Sequence, residues 1–329
     1  MEYVACNLCD VDNTKLLFVG EERDWGTGEF FNIVRCNKCG LVYVNPRPDE
    51  VEIKKYYPPE GWPRAKEKID FEAATINNQP WRKVMKLRTA HLLKYIKNGR
   101  ILDVGCGDGF FLKYLEEKGW KVCGVEPGEV GARYAREVLG IEVFTGNLED
   151  ANFPDNCFDA VSLYAVFEHL PDPIKTLKEI KRILKPGGIL FISVPNFGGL
   201  ESRIFRERWL AVKAPTHLYH FTPFTLYQVV SKAGFQVLEI KHISNEGKST
   251  MGYSESLRYI LADYHLYPAK KYSVLSKKEM GSGPNCTEKI LWKKVLHDVE
   301  FLIFKTAGFI ADMLHMGGNL SLIASKRPS

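Results

Sequence analysis

Four cysteines near the N-terminus offer the first chemistry in this sequence. Cys6 and Cys9 form one C-x-x-C pair and Cys36 and Cys39 a second, with 26 residues between the pairs. Each such turn presents two thiolates to one ion, and two turns complete a tetrahedral S4 site. All four ligands come from the chain, so no position is left for a substrate and the ion, read as Zn2+, is structural. A module this short needs such a staple, because it cannot bury enough apolar surface alone. A second group begins where Ile101-Leu102-Asp103-Val104 runs into Gly105-Cys106-Gly107-Asp108-Gly109. Glycines at this spacing let the backbone approach a ligand closely. The spacing is G-x-G-x-G, not the G-x-G-x-x-G of a dinucleotide site. Asp103 would repel a pyrophosphate but suits a ligand carrying an ammonium and a sulfonium. Glu126 follows 23 residues later, at the end of the apolar run Val122–Val125, where an acid can accept both hydroxyls of a ribose. The third group is histidine: His169, and the pair His217 and His220 around Leu218-Tyr219. Histidine titrates near neutral pH and suits proton removal.

The elements that must position these residues follow from pattern. Leu16-Leu17-Phe18-Val19 and Phe30-Phe31-Asn32-Ile33-Val34 predict short strands between the cysteine pairs. With Gly40 after the second pair, the module resembles a zinc ribbon. Asn45-Pro46-Arg47-Pro48 cannot be helical, and Tyr56-Tyr57-Pro58-Pro59 and Gly61-Trp62-Pro63 continue the irregular chemistry, so residues 46 to about 78 read as a linker whose aromatics pack on the next domain or line a substrate entrance. Apolar positions from Val84 to Tyr95 predict a helix over Trp81–Lys97. Strands are then expected at Arg100–Val104, Lys121–Glu126, Ile141–Phe144, Phe158–Tyr164 and Ile189–Pro195, with a helix over Ile174–Leu184 and a turn at Lys185-Pro186-Gly187-Gly188. This alternation predicts an α/β, doubly wound, mostly parallel Rossmann-like sheet.

The run Leu102–Gly109, the pair Val125-Glu126, Phe158-Asp159-Ala160-Val161, Glu168-His169-Leu170 and Arg182–Gly188, in that order, resemble the class I S-adenosylmethionine-dependent methyltransferases over about residues 80–243. The resemblance implies that the backbone of Gly105, Cys106, Gly107 and Gly109 holds the methionine part of S-adenosylmethionine, with Asp103 beside it and Glu126 on the ribose. It places Asn147 and Leu148 at the adenine, although the family often has Asp where Asn147 stands. Tyr164, at the exit of the fourth strand, joins the cofactor side. A histidine near the loop after the fifth strand is common in the family, which makes His217 the first choice of base, ahead of His220 and His169.

Composition narrows the rest. The 329 residues suffice for about two domains, and 45 basic against 40 acidic residues give a net charge of +5, too small to argue for nucleic acid. The fourth strand ends in Ser162-Leu163-Tyr164-Ala165, not in the Asn-Pro-Pro-aromatic motif of base-methylating relatives. Eight cysteines with only two close pairs fit a reducing compartment. No signal peptide or membrane span is read, so the expectation is a cytoplasmic protein. The domain reading is a ribbon over 1–48, a linker and helix over 49–98, a core over 99–243 plus 317–329, and a helical insertion over 244–316. The final strand is expected at Asn319–Lys326. Within the insertion, helical pattern falls at Tyr253–His265 and Ile290–Leu314, and the apolar stretch 301–316 could cover the site, join a dimer or dock peripherally on a membrane. The leading reading is O- or C-methylation of a small or sugar-like acceptor, as in cell-surface polysaccharide or natural-product pathways. The alternatives are an RNA methyltransferase that grips RNA with its ribbon, and a non-catalytic cofactor-binding scaffold. The oligomeric state stays open.

Overall fold

The computed structural model describes residues 1–58, 80–243, 256–257, 259, 306–307 and 310–327. Most of the expected insertion, including its two helical patterns and most of 301–316, lies outside the described residues. No described helix is long and apolar enough to cross a membrane.

The larger sheet has seven strands: β4 (Arg100–Val104), β5 (Lys121–Glu126), β6 (Val143–Thr145), β7 (Phe158–Tyr164), β8 (Leu184–Pro195), β10 (Phe235–Ile243) and β11 (Asn319–Lys326). Their order is β10-β11-β8-β7-β4-β5-β6. The five strands from β6 to β8 are parallel, and β11 runs antiparallel between β8 and β10. The chain steps from β4 outward to β5 and β6, then returns to the other side of β4 as β7. That reversal opens a crevice at the carboxyl ends of β4 and β7, where open α/β sheets bind ligands. The central strands are apolar on both faces because both faces are covered. Ile101, Leu102, Val161, Leu163, Leu190 and Ile192 are all fully buried.

Helices α1 (Pro80–Ala90), α2 (Leu92–Tyr95), α3 (Phe110–Glu116), α4 (Glu129–Glu137), α5 (Pro173–Ile183), α6 (Leu200–Phe205) and α7 (Pro223–Lys232) complete the core. The helix expected over Trp81–Lys97 is interrupted at His91, whose buried ring is held by Ser321 and Glu239. The turn expected at Lys185–Gly188 is absorbed into β8, which pairs with β7 from Leu184 through an irregularity between Phe158 and Ala160. The α5 start is set by Asp172, which accepts from Lys175 N at 3.0 Å, followed by Pro173. Thr222 and Thr225 form a reciprocal cap on α7.

The N-terminal module folds as β1 (Thr14–Glu21), β2 (Phe30–Cys36) and β3 (Val42–Val44). Its sheet is completed by a fourth strand from the core, β9 (Tyr219–His220), which pairs antiparallel with β3. Polar contacts seal the junction. Asn7 donates to Asp172 at 2.9 Å, Arg47 donates to Pro171 O at 2.8 Å, and Lys232 donates to Leu8 O at 2.7 Å. The Asp172 carboxylate thus caps α5 and anchors the first cysteine turn together.

Candidate active site

The glycine bend joins β4 to α3. Gly105 N and Cys106 N both donate to Val125 O, at 2.7 and 3.1 Å, so the bend is tied to the tip of β5. Gly105 has φ +70°, and a Cβ there would be driven into the Val166 side chain. Gly109 has φ +82°, and a Cβ there would lie 2.9 Å from Ala135 Cβ on α4. Neither place admits a side chain, so the bend needs glycine for space as well as for backbone conformation. Cys106 points inward: a Cβ on Gly124 would meet its sulfur at 2.5 Å, and burial raises its thiol pKa. Within the bend, the Cys106 thiol lies 3.9 Å from Gly107 O.

Two buried carboxylates flank this bend. Asp103, at the tip of β4, accepts a hydrogen bond from Ser162 Oγ at 2.6 Å, and burial lifts its pKa to about 7 against the lowering effect of that bond. Glu126, at the tip of β5, accepts from Gly107 N at 2.8 Å and from Gly128 N at 2.7 Å, one on each oxygen. Burial raises its pKa and the two amides oppose that rise. Each oxygen keeps a second lone pair, so both ribose hydroxyls can still be accepted. Leu148 is buried beyond β6 and Asn147 is exposed beside it, with Asn147 O accepting from Asp150 N at 3.2 Å. Tyr164 is half-buried at the end of β7, with the Arg88 guanidinium 4.3 Å over its ring.

The histidines divide. His169 and His217, 48 residues apart in sequence, meet edge-to-face with ring centroids 4.6 Å apart. His217 donates from Nδ1 to Ala211 O at 2.9 Å. His169 Nδ1 lies 2.8 Å from Thr216 O, which can only accept, so the proton sits on Nδ1. Tyr57 Oη lies 2.8 Å from the same nitrogen. In both rings Nε2 therefore carries the lone pair. Burial, then the nearby Lys213, pushes His169 down to about 4; burial, then His169, pushes His217 well below its usual range, so both are neutral. Glu168, next in the same turn, is 1% exposed, and neither carboxylate oxygen has a hydrogen-bond partner among the described residues. Burial lifts its pKa to about 8. His220 stands apart on β9, its ring tilted against Phe197 at 5.6 Å, with burial lowering its pKa to about 4.

The turn that carries Glu168 and His169 reaches the glycine bend through Val166, the residue pressed against Gly105. The His217 loop is fixed from the other direction, since it leads into β9 of the small sheet. The four cysteine sulfurs also converge: Cys6 Sγ is 3.4 Å from Cys39 Sγ, Cys9 Sγ is 3.5 Å from Cys36 Sγ, and all four lie within 4.8 Å of one another. That cluster is consistent with a small zinc-ribbon-like element.

Residues 76–240 match a family model described as a methyltransferase domain. This chain belongs to the methyltransferase domain family. An uncharacterized methyltransferase of Schizosaccharomyces pombe is 40% identical over 117 residues, covering 30% of this chain and 41% of that protein. A probable S-adenosylmethionine-dependent methyltransferase of Mycolicibacterium smegmatis is 31% identical over 143 residues, covering 42% of this chain and 52% of that protein. A ubiquinone biosynthesis O-methyltransferase of Coxiella burnetii is 30% identical over 185 residues, covering 50% of this chain and 79% of that protein. The alignments thus span about half, or less, of the first two relatives. Among solved structures, a SAM-dependent methyltransferase from Archaeoglobus fulgidus superposes with a TM-score of 0.47 at 22% identity, covering 74% of this chain and 94% of that one.

In sequence, Glu168 is only one member of the Glu168-His169-Leu170 motif, because adjacency to His169 says nothing about its burial or about its lack of a hydrogen-bond partner among the described residues. Tyr57 was one aromatic among several in a proline-rich stretch, and only the folded chain brings its hydroxyl to His169. Ser162 sits mid-strand in an apolar run. A lone hydroxyl there is a usable signal, since a buried hydroxyl needs a partner and Asp103 lies one strand away.

Proposed function

We propose that this chain transfers the methyl group of S-adenosylmethionine to a hydroxyl group of a small, phenol- or sugar-like acceptor, with proton removal at the His169–His217 pair. The observation that carries the reading is the pair of buried acids, Asp103 and Glu126, at neighbouring parallel strand tips on either side of a glycine bend. Asp103 suits the positive ammonium end of the cofactor, and Glu126 suits the ribose hydroxyls. The glycines of the bend between them leave backbone open to a ligand. Bound S-adenosylmethionine supplies an electrophilic methyl group on a positively charged sulfur. The leaving thioether is neutral, so the chain has no departing charge to stabilise. It must align the acceptor in line and take up the acceptor proton.

His217 and His169 suit that second task. Their Nδ1 protons are committed to backbone carbonyls, which fixes both rings and leaves an unprotonated Nε2 on each to accept a proton. The name of the Coxiella relative favours oxygen as the acceptor atom. Stabilisation of the N-terminal sheet through a structural Zn2+ on Cys6, Cys9, Cys36 and Cys39 belongs to the same proposal, and four thiolates suit zinc.

The test is calorimetry with S-adenosylhomocysteine, followed by mass spectrometry of hydroxylated phenols and nucleotide sugars incubated with isotope-labelled cofactor. The expected result is cofactor binding in wild type and in His217→Ala, with turnover lowered by ~10²–10⁴-fold in the variant, the range for a lost acid–base group. A wild-type protein that binds no S-adenosylhomocysteine would sink the proposal.

A further inference from the structure

The buried Glu168 carboxylate invites a question the methyl-transfer reading does not answer. Both of its oxygens are sealed from solvent without a hydrogen-bond partner among the described residues, and no ion pair reaches it within 4 Å there. A carboxylate in that condition is costly unless something positive or protic sits against it. Beside it stand the imidazoles of His169 and His217. Glu168, His169 and His217 each offer one donor atom, and these atoms all lie within 4.8 Å of one another.

We propose that Glu168, His169 and His217 form a second metal site, for a divalent transition cation such as Zn2+ or Mn2+, separate from the four cysteines. Two imidazole nitrogens and one carboxylate make a donor set for such cations. Metal–ligand distances of ~2.0–2.2 Å place donor atoms ~3–3.5 Å apart, so small side-chain rotations from the present spacing close the site. The outer shell is already built. Metal-bound histidines typically donate their other ring N–H to a carbonyl or carboxylate, and here His217 Nδ1 meets Ala211 O while His169 Nδ1 meets Thr216 O. Three protein ligands leave the remaining positions open, unlike the closed cysteine site.

The cation's existence rests on these residues alone; its task rests on the methyl-transfer reading. There, an acceptor hydroxyl coordinates the open position and its pKa falls. The proton leaves to solvent, the oxygen lone pair forms the new C–O bond, and the S–C bond breaks to release neutral thioether. With the cation bound, His169 and His217 serve proton removal as its ligands, in place of the direct proton uptake proposed for the metal-free pair.

The experiment uses the full chain. Wild type, Glu168→Gln and His217→Ala are stripped with chelator, reloaded with Co2+ or Zn2+ alone, and assayed by metal analysis and absorption spectroscopy. S-Adenosylhomocysteine calorimetry on each sample reports folding and the cofactor site. The expected result is that wild type takes up a cobalt-thiolate equivalent plus a second equivalent without a thiolate band. Both variants lose only the second and keep wild-type S-adenosylhomocysteine affinity. A wild type that takes up thiolate-bound metal alone overturns the site, as do variants that retain the second equivalent. Should His217→Ala fail to fold, the near-isosteric Glu168→Gln and the wild-type stoichiometry still decide. A second equivalent in a protein that binds no S-adenosylhomocysteine would leave the metal site standing and remove the methyl-transfer reading.

Discussion

Gly105→Ala probes the geometry on which the site depends. At φ +70° an L-residue costs about 1–2 kcal/mol relative to glycine. The new Cβ is also driven into the Val166 side chain, and overpacking of that kind costs about 1–3 kcal/mol. Together these give a destabilisation of about 2–5 kcal/mol, a large fraction of the ~5–15 kcal/mol that holds a domain folded. Urea unfolding of wild type and Gly105→Ala measures it directly. The two contributions separate in a double-mutant cycle. Val166→Ala removes the obstructing methyls, so the Gly105→Ala/Val166→Ala protein should regain about 1–3 kcal/mol relative to the sum of the single variants, while the backbone cost persists. Val166 sits two residues before Glu168, so Gly105→Ala should weaken turnover beyond its effect on S-adenosylhomocysteine binding. A loss below about 0.5 kcal/mol, or strictly additive single variants, would show that the bend does not press on the β7 exit as described.

Glu126→Ala should weaken S-adenosylhomocysteine binding by roughly 10–150-fold, since hydrogen bonds to a charged group contribute about 1.5–3 kcal/mol; unchanged affinity by calorimetry would refute the ribose assignment. Asp103 has a folded-state pKa raised to about 7, whereas in the unfolded chain an aspartate ionises near ~3.9. The folded protein therefore holds more protons between those values. Its contribution to stability is full below about pH 4 and is lost as pH rises through 7. Melting temperatures across that window should fall for wild type relative to Asp103→Asn, and parallel profiles would contradict the shift. For the same reason, a cationic cofactor beside Asp103 should bind with proton release near pH 6–7, read by calorimetry in buffers of different ionisation heat. Chelating the cysteine-bound metal should lower both the melting temperature and turnover, because β3 holds β9 and β9 continues the His217 loop; full activity in a protein shown by metal analysis to lack that ion would disconnect the ribbon from the site.

Local chemistry made much of this protein legible from its sequence. The strand–glycine–helix run at Arg100–Leu112, the acid at position 126 and the alternation of apolar runs with helices each depend on neighbours along the chain. Period and turn chemistry therefore announce them, and β5, β7 and β11 lie where pattern places them. The paired cysteines were equally plain, since ligand spacing within a turn is local. Boundaries shifted where tertiary contacts compete with pattern. The first helix is interrupted at His91, whose ring is held by Ser321 and Glu239, and β8 begins early because β7 offers it hydrogen bonds.

Only the tertiary structure decided which histidines meet, that Glu168 is sealed beside them without a partner among the described residues, and that the ribbon's sheet is finished by a strand from the core. Each of these is a contact across 40 residues or more of chain, produced by the reversal of strand order at β4 and by the burial it enforces. Sequence spacing carries information about a turn or a face. It carries none about which distant loops share a crevice, because that depends on how whole apolar surfaces cover one another.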